Sequence, residues 1–156
     1  MTEQPAPRTE HRTEFLWLDM TRRCQLNCVH CYNSSGPTGS HGAMSREDWL
    51  RVIDQAAACG VRRVQLIGGE PMLYPHALAV ADRVLSLGIG MEVYSNLVHV
   101  TDEWWALLLR EGASLATSYH SAHAGEHNRV TGRPSHLRTH AHIERALRLG
   151  FPCASA

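Results

Sequence analysis

Short apolar runs alternate with segments of helical periodicity along most of this chain. Apolar runs bounded by glycine, proline or charged residues are typical of strands, and apolar residues that recur every three or four positions are typical of helices. The four predicted strands are Phe15–Asp19, Val64–Ile67, Met91–Tyr94 and Ala113–Tyr119. The helices that follow them are predicted between Ser45 and Gly60, Pro75 and Gly88, Asp102 and Gly112, and Ser135 and Gly150.

Four strand-then-helix units of roughly 35 residues each predict an α/β fold, because right-handed crossovers join parallel strands and place the helices outside. An open doubly wound sheet and a partial (βα) barrel both satisfy this order. The chain ends at residues 151–156, where a fifth strand would begin, so we expect the C-terminal strands to be missing. Residues 1–13 are polar and without a period, and we expect them to form a flexible tail before a domain at residues 14–156.

Composition narrows the class of protein. Apolar residues make up 44% of the chain, which suffices for a core, and 15 basic residues balance 15 acidic ones. A net charge of zero gives no reason to expect nucleic acid or an anionic membrane as a partner. No apolar run approaches the length of a membrane span, and the first residues lack the apolar stretch of a secretory signal. We therefore expect a cytoplasmic protein.

A C-x3-C-x2-C array, Cys24, Cys28 and Cys31, lies in the long loop after the first strand. Three thiolates this close can hold one iron-sulfur cluster, with one iron left open to another ligand. Two alternatives remain: a helix that buries the cysteines on one face, and a zinc site with His30 or His41 as fourth ligand. Nearby asparagine, glycine and proline disfavour the helix, and zinc sites more often use two paired ligand sets.

The second strand ends in Gly68-Gly69-Glu70-Pro71. Two glycines let a ligand approach the backbone, and Glu70 offers a carboxylate suited to an ammonium group. A tight turn with a solvated glutamate is the alternative. Because the carboxyl ends of consecutive parallel strands meet at one edge, this turn and the cysteine loop are predicted to face the same opening.

Together, the two motifs resemble those of the radical S-adenosylmethionine (radical SAM) superfamily, in order, spacing and strand-loop setting. The resemblance covers nearly the whole chain from Phe15. The longer string C-x-L-x-C-x-H-C-Y is similar to the SPASM-type branch, which includes peptide-modifying maturases and anaerobic sulfatase-maturing enzymes. The resemblance implies a partial barrel of the radical SAM type, here with about four of the usual six units.

The resemblance also implies a mechanism. Cys24, Cys28 and Cys31 would hold three irons of a 4Fe-4S cluster, and the fourth iron would bind the amino and carboxylate groups of S-adenosylmethionine (SAM). The turn at Gly68, Gly69, Glu70 and Pro71 would receive the SAM amino group. One electron would cleave SAM to a 5′-deoxyadenosyl radical that abstracts hydrogen from a substrate, for which a peptide is expected. A flavodoxin-like or ferredoxin-like electron donor is the implied partner.

Further positions match the family less closely. His30 takes a usually aromatic position whose backbone approaches adenine, and Asn96 and Ser118 match polar contacts to the methionine part or the ribose. Arg129 lies in a stretch similar to one whose arginine meets the SAM carboxylate, but its spacing differs. His136 and His140 lie one helical turn apart and are expected to be exposed rather than to bind metal. Cys59 and Cys153 match no motif and are expected to be small buried side chains.

The missing fifth and sixth strands of the family core leave three explanations open: a truncated chain, a split enzyme completed by another chain, and a remnant. The favoured hypothesis is a radical SAM enzyme or its N-terminal portion. The alternative is a non-catalytic iron-sulfur or zinc-binding remnant or a subunit of a split enzyme. Bound metal without 5′-deoxyadenosine formation would distinguish the second from the first.

Overall fold

A computed structural model describes residues 13–151, which form a four-stranded parallel sheet in the order β1-β2-β3-β4. The strands are Phe15–Asp19, Arg63–Ile67, Gly90–Tyr94 and Ala113–Ala116. The helices α1 to α5 are Arg46–Ala58, Ala77–Ser86, Asp102–Leu108, Ala124–Thr131 and His136–Arg148. Sequential strand order is that of a barrel segment, since a doubly wound sheet reverses direction at its middle. The predicted partial barrel is therefore confirmed, and the doubly wound alternative is wrong.

Side chains along the strands point alternately to the helix-covered face of the sheet and to its open, concave face. Leu18, Val64, Leu66 and their neighbours on β3 lie side by side in the parallel register and are almost fully buried beneath the helices. The intervening side chains point to the concave face, where Trp17 remains 66% exposed. Since side chains on a strand alternate between faces, this register leaves the inside of the barrel segment accessible to a ligand.

Local signals explain where the helices begin. Ser45 accepts a hydrogen bond from the backbone N–H of Asp48, whose carboxylate accepts from the N–H of Ser45, so the predicted capping box opens α1. For α3 the prediction was one residue late, because Thr101 is the N-cap and accepts from Trp104. Asp102 instead lies in the first turn, where its negative charge interacts favourably with the positive end of the helix dipole.

Four features differ from the sequence-based expectations, and one of them is β4, which ends at Ala116 rather than at Tyr119. The polar segment predicted as a loop contains α4, whose last carbonyl groups accept hydrogen bonds from the cysteine loop, so tertiary contacts stabilise it. The turn after β2 continues into a short 3-10 helix, Pro71–Leu73. Cys59 ends α1 with an exposed side chain, so its expected burial is wrong. Cys153 and almost all of the expected tail lie outside residues 13–151.

No helix in the described part of the chain is long and apolar enough to cross a membrane.

We expect Ile53→Ala to lower the free energy of unfolding by about 2–5 kcal/mol, because Ile53 is a fully buried residue of α1 and the loss of its side chain leaves a cavity in the core. Urea denaturation followed by circular dichroism measures this change. The control is Leu137→Ala on α5, where the side chain is 79% exposed and the expected change is within about 0.5 kcal/mol. Equal losses in the two variants would contradict this assignment of the core.

Candidate active site

A cavity of about 480 Å³ opens at the carboxyl ends of the four strands. Most of the site residues predicted from the sequence, which follow different strands, line this cavity. The predicted site residues on its wall are Cys24, Cys28, His30, Cys31, Gly68, Gly69, Asn96 and Ser118. Glu70, Pro71 and Arg129 are not on that wall. The predicted meeting of the cysteine loop and the glycine turn at one opening is therefore present in the structure.

Backbone hydrogen bonds fasten the cysteine loop to the turn that follows β2. The N–H of Gly69 donates to the carbonyl of Thr21 at 2.6 Å, and the N–H of Glu70 donates to the carbonyl of Arg23 at 2.9 Å. These bonds extend the β1–β2 pairing beyond the strands and end beside Cys24. The first cysteine is thus positioned by the sheet rather than by a free loop.

Both glycines of the turn are required by this close approach. A Cβ on Gly68 would lie 2.5 Å from the carbonyl oxygen of Thr21, and Gly68 has a φ of 141°, which side chains disfavour. A Cβ on Gly69 would collide with the carbonyl of Arg23. The glycines therefore let two backbone segments touch, in addition to leaving room for a ligand.

The three thiols form a donor set that suits an iron-sulfur cluster. Cys24 is buried, Cys28 and Cys31 are half-buried, and none is in a disulfide. Backbone N–H groups of Leu26 and Ser35 donate to the sulfurs of Cys24 and Cys31 at 3.4 and 3.3 Å. N–H donors to cysteine sulfur stabilise bound thiolate and influence the reduction potential of clusters. The residues present therefore fit the group that the family implies.

Burial makes two of the metal-free thiols, those of Cys24 and Cys28, reluctant to ionise. It raises the pKa of the Cys24 thiol to about 11, and it also raises the pKa of Cys28. Cluster assembly must therefore displace protons from these sulfurs, which makes loading depend on pH.

Of the two alternatives for the cysteines, the geometry excludes the helix and removes His41 from the zinc site, whereas His30 stays on the same cavity wall as the thiols. The cysteine loop is not helical, so a buried helix face is wrong. His41 hydrogen-bonds to Thr21 through Nδ1 at 2.9 Å and lines a different cavity. Between residues 13 and 151 no three histidine, cysteine or acidic side chains are grouped to hold a single metal ion. A cluster does not need such convergence, since each thiolate binds a separate iron.

Glu70 is directed into the protein, so the carboxylate predicted at the rim is instead buried. Only 1% of the residue is exposed, and its two oxygens accept from the backbone N–H groups of Met72 at 3.1 Å and Asn96 at 2.8 Å. Burial raises the pKa of Glu70 to about 7, although these two N–H donors oppose the shift. The side chain therefore joins the ends of β2 and β3 beneath the cavity.

Asn96 connects the end of β3 to the first cysteine. Its Nδ2 donates to the sulfur of Cys24 at 3.5 Å, and its Oδ1 accepts from Nε2 of Gln25 at 3.0 Å. Ser118, after β4, shares a hydrogen bond of 2.8 Å with the hydroxyl of Tyr94. Both residues line the cavity, so the polar positions chosen at the ends of β3 and β4 lie where a ligand can reach them.

The remaining candidates divide between wall and surface. His30 lies on the wall, with its ring edge-to-face against His120 at a centroid distance of 5.0 Å. Arg129 lies on the exposed side of α4, and the structure does not bring it into the site. Oδ1 of its neighbour Asn128 instead accepts from the backbone N–H groups of Ser135, the N-cap of α5, and of His136, the first residue of α5.

Sequence reasoning missed two histidines on the wall, His120 and His127. His120 follows β4 as Ser118 does, so its place at a strand end was an available signal. His127 is 1% exposed and belongs to α4, the helix that the sequence did not reveal. His136, expected to be exposed, is 8% exposed and hydrogen-bonds to Tyr119, so that expectation is wrong, whereas His140 is exposed.

Comparison with known proteins bears on this geometry directly. The family model described as the radical SAM superfamily matches residues 18–156. The chain belongs to the radical SAM superfamily. The resemblance carried by the cysteine array and the glycine turn is thereby confirmed, and the radical SAM relatives found in the comparison are enzymes such as PqqA peptide cyclase.

Several radical SAM proteins are similar to this chain in sequence or in fold. It is 30% identical over 136 residues to an AdoMet-dependent heme synthase of Methanosarcina barkeri, covering 86% of this chain and 39% of that protein. It is 31% identical over 144 residues to a PqqA peptide cyclase of Methylobacterium sp. strain 4-46, covering 88% and 37%. The fold matches Streptococcus suis SuiB bound to S-adenosylmethionine, with a TM-score of 0.79, 21% identity and coverage of 90% and 33%. The chain thus spans about two fifths or less of each relative.

We expect Gly69→Ala to weaken cluster loading by roughly ten- to a hundredfold, the range seen when groups that orient metal ligands are removed. The added methyl group would push the backbone of Arg23 away and displace Cys24. Iron and sulfide bound after anaerobic reconstitution measure the effect. Gly125→Ala on α4, where a Cβ meets nothing within 4 Å, is the matched control. Full loading of the Gly69 variant would contradict the role given to the turn.

Glu70 should give stability a pH dependence. Folding raises its pKa from 4.5 to about 7, so its contribution is complete below pH 4.5 and is lost as pH rises to 7. For one group this loss is about 3 kcal/mol. We expect Glu70→Gln to remove that decline, apart from a constant offset for an impaired hydrogen bond. Urea unfolding of both proteins from pH 5 to 8 isolates Glu70 by difference, and parallel curves would contradict the assignment.

Proposed function

We propose that this chain is the cluster-binding and SAM-binding part of a radical SAM enzyme. The observation that carries the proposal is the shared cavity, whose wall includes all three cysteines, both glycines of the turn, Asn96 and Ser118. Cys24, Cys28 and Cys31 would hold a 4Fe-4S cluster. When bound, such a cluster supplies the electron for reductive cleavage of SAM to a 5′-deoxyadenosyl radical that abstracts hydrogen from a substrate.

The protein contributes position and enclosure. The backbone at Gly68 and Gly69 is the part of the turn open to the cavity, and we propose that it receives the SAM amino group while Glu70 fixes the turn from behind. Asn96 orients Cys24 through its amide and faces the same space. Ser118 lines the same cavity, and its hydroxyl would contact the ribose, while the backbone of His30 would approach the adenine.

A peptide is the proposed substrate class. PqqA peptide cyclase is named for its action on a peptide, and SuiB, whose fold this chain shares, is known bound to the precursor peptide SuiA. We propose that further strands, from the same polypeptide or from another chain, extend the sheet beyond β4 and help to hold that substrate. A flavodoxin-like or ferredoxin-like protein is the proposed electron donor, and the cytoplasm, where thiols stay reduced, is the proposed compartment.

The direct test is an anaerobic assay of reconstituted protein with SAM and dithionite, with 5′-deoxyadenosine measured by chromatography. We expect product from the wild type and loss to background in the Cys24→Ala, Cys28→Ala, Cys31→Ala triple variant, because no cluster can assemble. Cys59→Ala is the matched control, since Cys59 is exposed at the end of α1 and outside the cavity. We expect it to retain full activity.

Two results would count against the proposal. Product that persists in the triple variant would show that the three cysteines do not generate it. Bound iron with intact SAM would favour the alternative, a non-catalytic metal-binding chain or one subunit of a split enzyme.

A further inference from the structure

The side chain of Asn96 is held in one orientation just after β3. Its Oδ1 accepts from the backbone N–H of Val98 at 2.9 Å and from Nε2 of Gln25 at 3.0 Å. A backbone N–H can only donate, so the atom that faces Val98 must be the amide oxygen. The amide nitrogen therefore faces Cys24, whose sulfur lies 3.5 Å from Nδ2.

The backbone of Asn96 is fixed as well. Its N–H donates to Oε2 of Glu70 at 2.8 Å, and its carbonyl accepts from the hydroxyl of Thr139 on α5 at 3.0 Å. Glu70 and Thr139 are each 1% exposed, so water does not compete for these two bonds. The Nδ2 donor is thus held beside Cys24 by the folded chain itself.

The cysteine sulfurs differ in the donors that reach them. The sulfur of Cys24 accepts from Nδ2 of Asn96 and from the backbone N–H of Leu26, whereas that of Cys31 accepts from the backbone N–H of Ser35. Within residues 13–151, Asn96 is the one side chain that donates an N–H to a cysteine sulfur. A substitution can therefore remove this donor while the backbone donors stay in place.

We propose that Asn96 is a positioning residue that acts through the Cys24 sulfur and raises the reduction potential of a cluster bound there. An N–H directed at a thiolate withdraws electron density from it and stabilises the reduced cluster, which carries one more negative charge than the oxidised cluster. The step adds one electron, supplied by the proposed donor protein, and moves no proton. The inference rests on the proposed function, because it concerns the cluster assigned there.

This role is compatible with the contact to SAM predicted for Asn96. A side-chain amide carries two N–H groups, and only one of them is directed at the sulfur of Cys24. The other is available to a ligand, since Asn96 lies on the cavity wall. One residue can therefore contact both the cluster-bound sulfur and a ligand in the cavity.

The test is the reduction potential of the reconstituted chain without SAM, from a redox titration followed by electron paramagnetic resonance. We expect Asn96→Leu, which keeps the branched shape and removes the N–H, to shift the potential to a more negative value. The expected loss is roughly tenfold in the equilibrium constant of reduction, which is about 59 mV for one electron. Tyr94→Phe is the matched control, since Tyr94 lines the same cavity but hydrogen-bonds to Ser118, and we expect its potential to equal that of the wild type.

The sign of the shift separates this role from a merely structural one. A loosened site would admit water, which also stabilises the added charge, and the potential would rise. An unchanged or higher potential in Asn96→Leu would overturn the proposal. A wild-type chain that binds no iron and sulfide would overturn the proposed function and this inference with it, whereas a loaded chain with an unchanged potential would overturn the inference alone.

A second measurement needs neither a variant nor a cluster. In the 15N-labelled wild-type chain, nuclear Overhauser effects from the Nδ2 hydrogens of Asn96 should be stronger to the β-hydrogens of Cys24 than to the backbone N–H of Val98. The reverse order would place the amide oxygen on the sulfur and overturn the proposal, even where Asn96→Leu does not fold.

Discussion

The site depends on the backbone pairing between the cysteine loop and the turn after β2. Two hydrogen bonds, from the N–H groups of Gly69 and Glu70 to the carbonyls of Thr21 and Arg23, carry the parallel ladder past the ends of the strands. Only glycine permits this approach at positions 68 and 69. The glycine turn, which its sequence predicts to bind a ligand, therefore also fixes the position of the Cys24 thiol.

Buried polar groups tie this pairing to the rest of the strand ends. Glu70 accepts from the backbone of Asn96, whose side chain in turn donates to Cys24, so the ends of β1, β2 and β3 share one hydrogen-bonded network. Such a network holds its members in one arrangement when every group is satisfied. On the far side, the N–H groups of Asn27 and Val29 donate to the last carbonyls of α4, which joins the fourth unit to the same loop.

Strong local signals predicted much of this structure, and tertiary contacts decided the rest. Short apolar runs, the helical periodicity between them, the Ser45 capping box and the glycines after each helix predicted four strands and four helices. The cysteine array and the glycine turn predicted which two loops lie together. The sequence did not predict α4, because its polar segment has no periodic apolar positions. The last carbonyl groups of α4 accept hydrogen bonds from the cysteine loop, which is distant in sequence. The inward turn of Glu70 and the buried rings of His127 and His136 depend on neighbours distant in sequence, which residue type and spacing do not specify.

The central claim is that this short α/β segment positions three thiols for a cluster with one open iron that meets SAM. Electron paramagnetic resonance of the anaerobically reconstituted and reduced chain tests it most directly, together with iron and sulfide analysis. The account predicts about four irons and four sulfides per chain and a reduced-cluster signal that changes when SAM is added, since a ligand at the open iron alters the cluster. A signal that stays the same with saturating SAM, or a chain that binds a single metal ion, would contradict it.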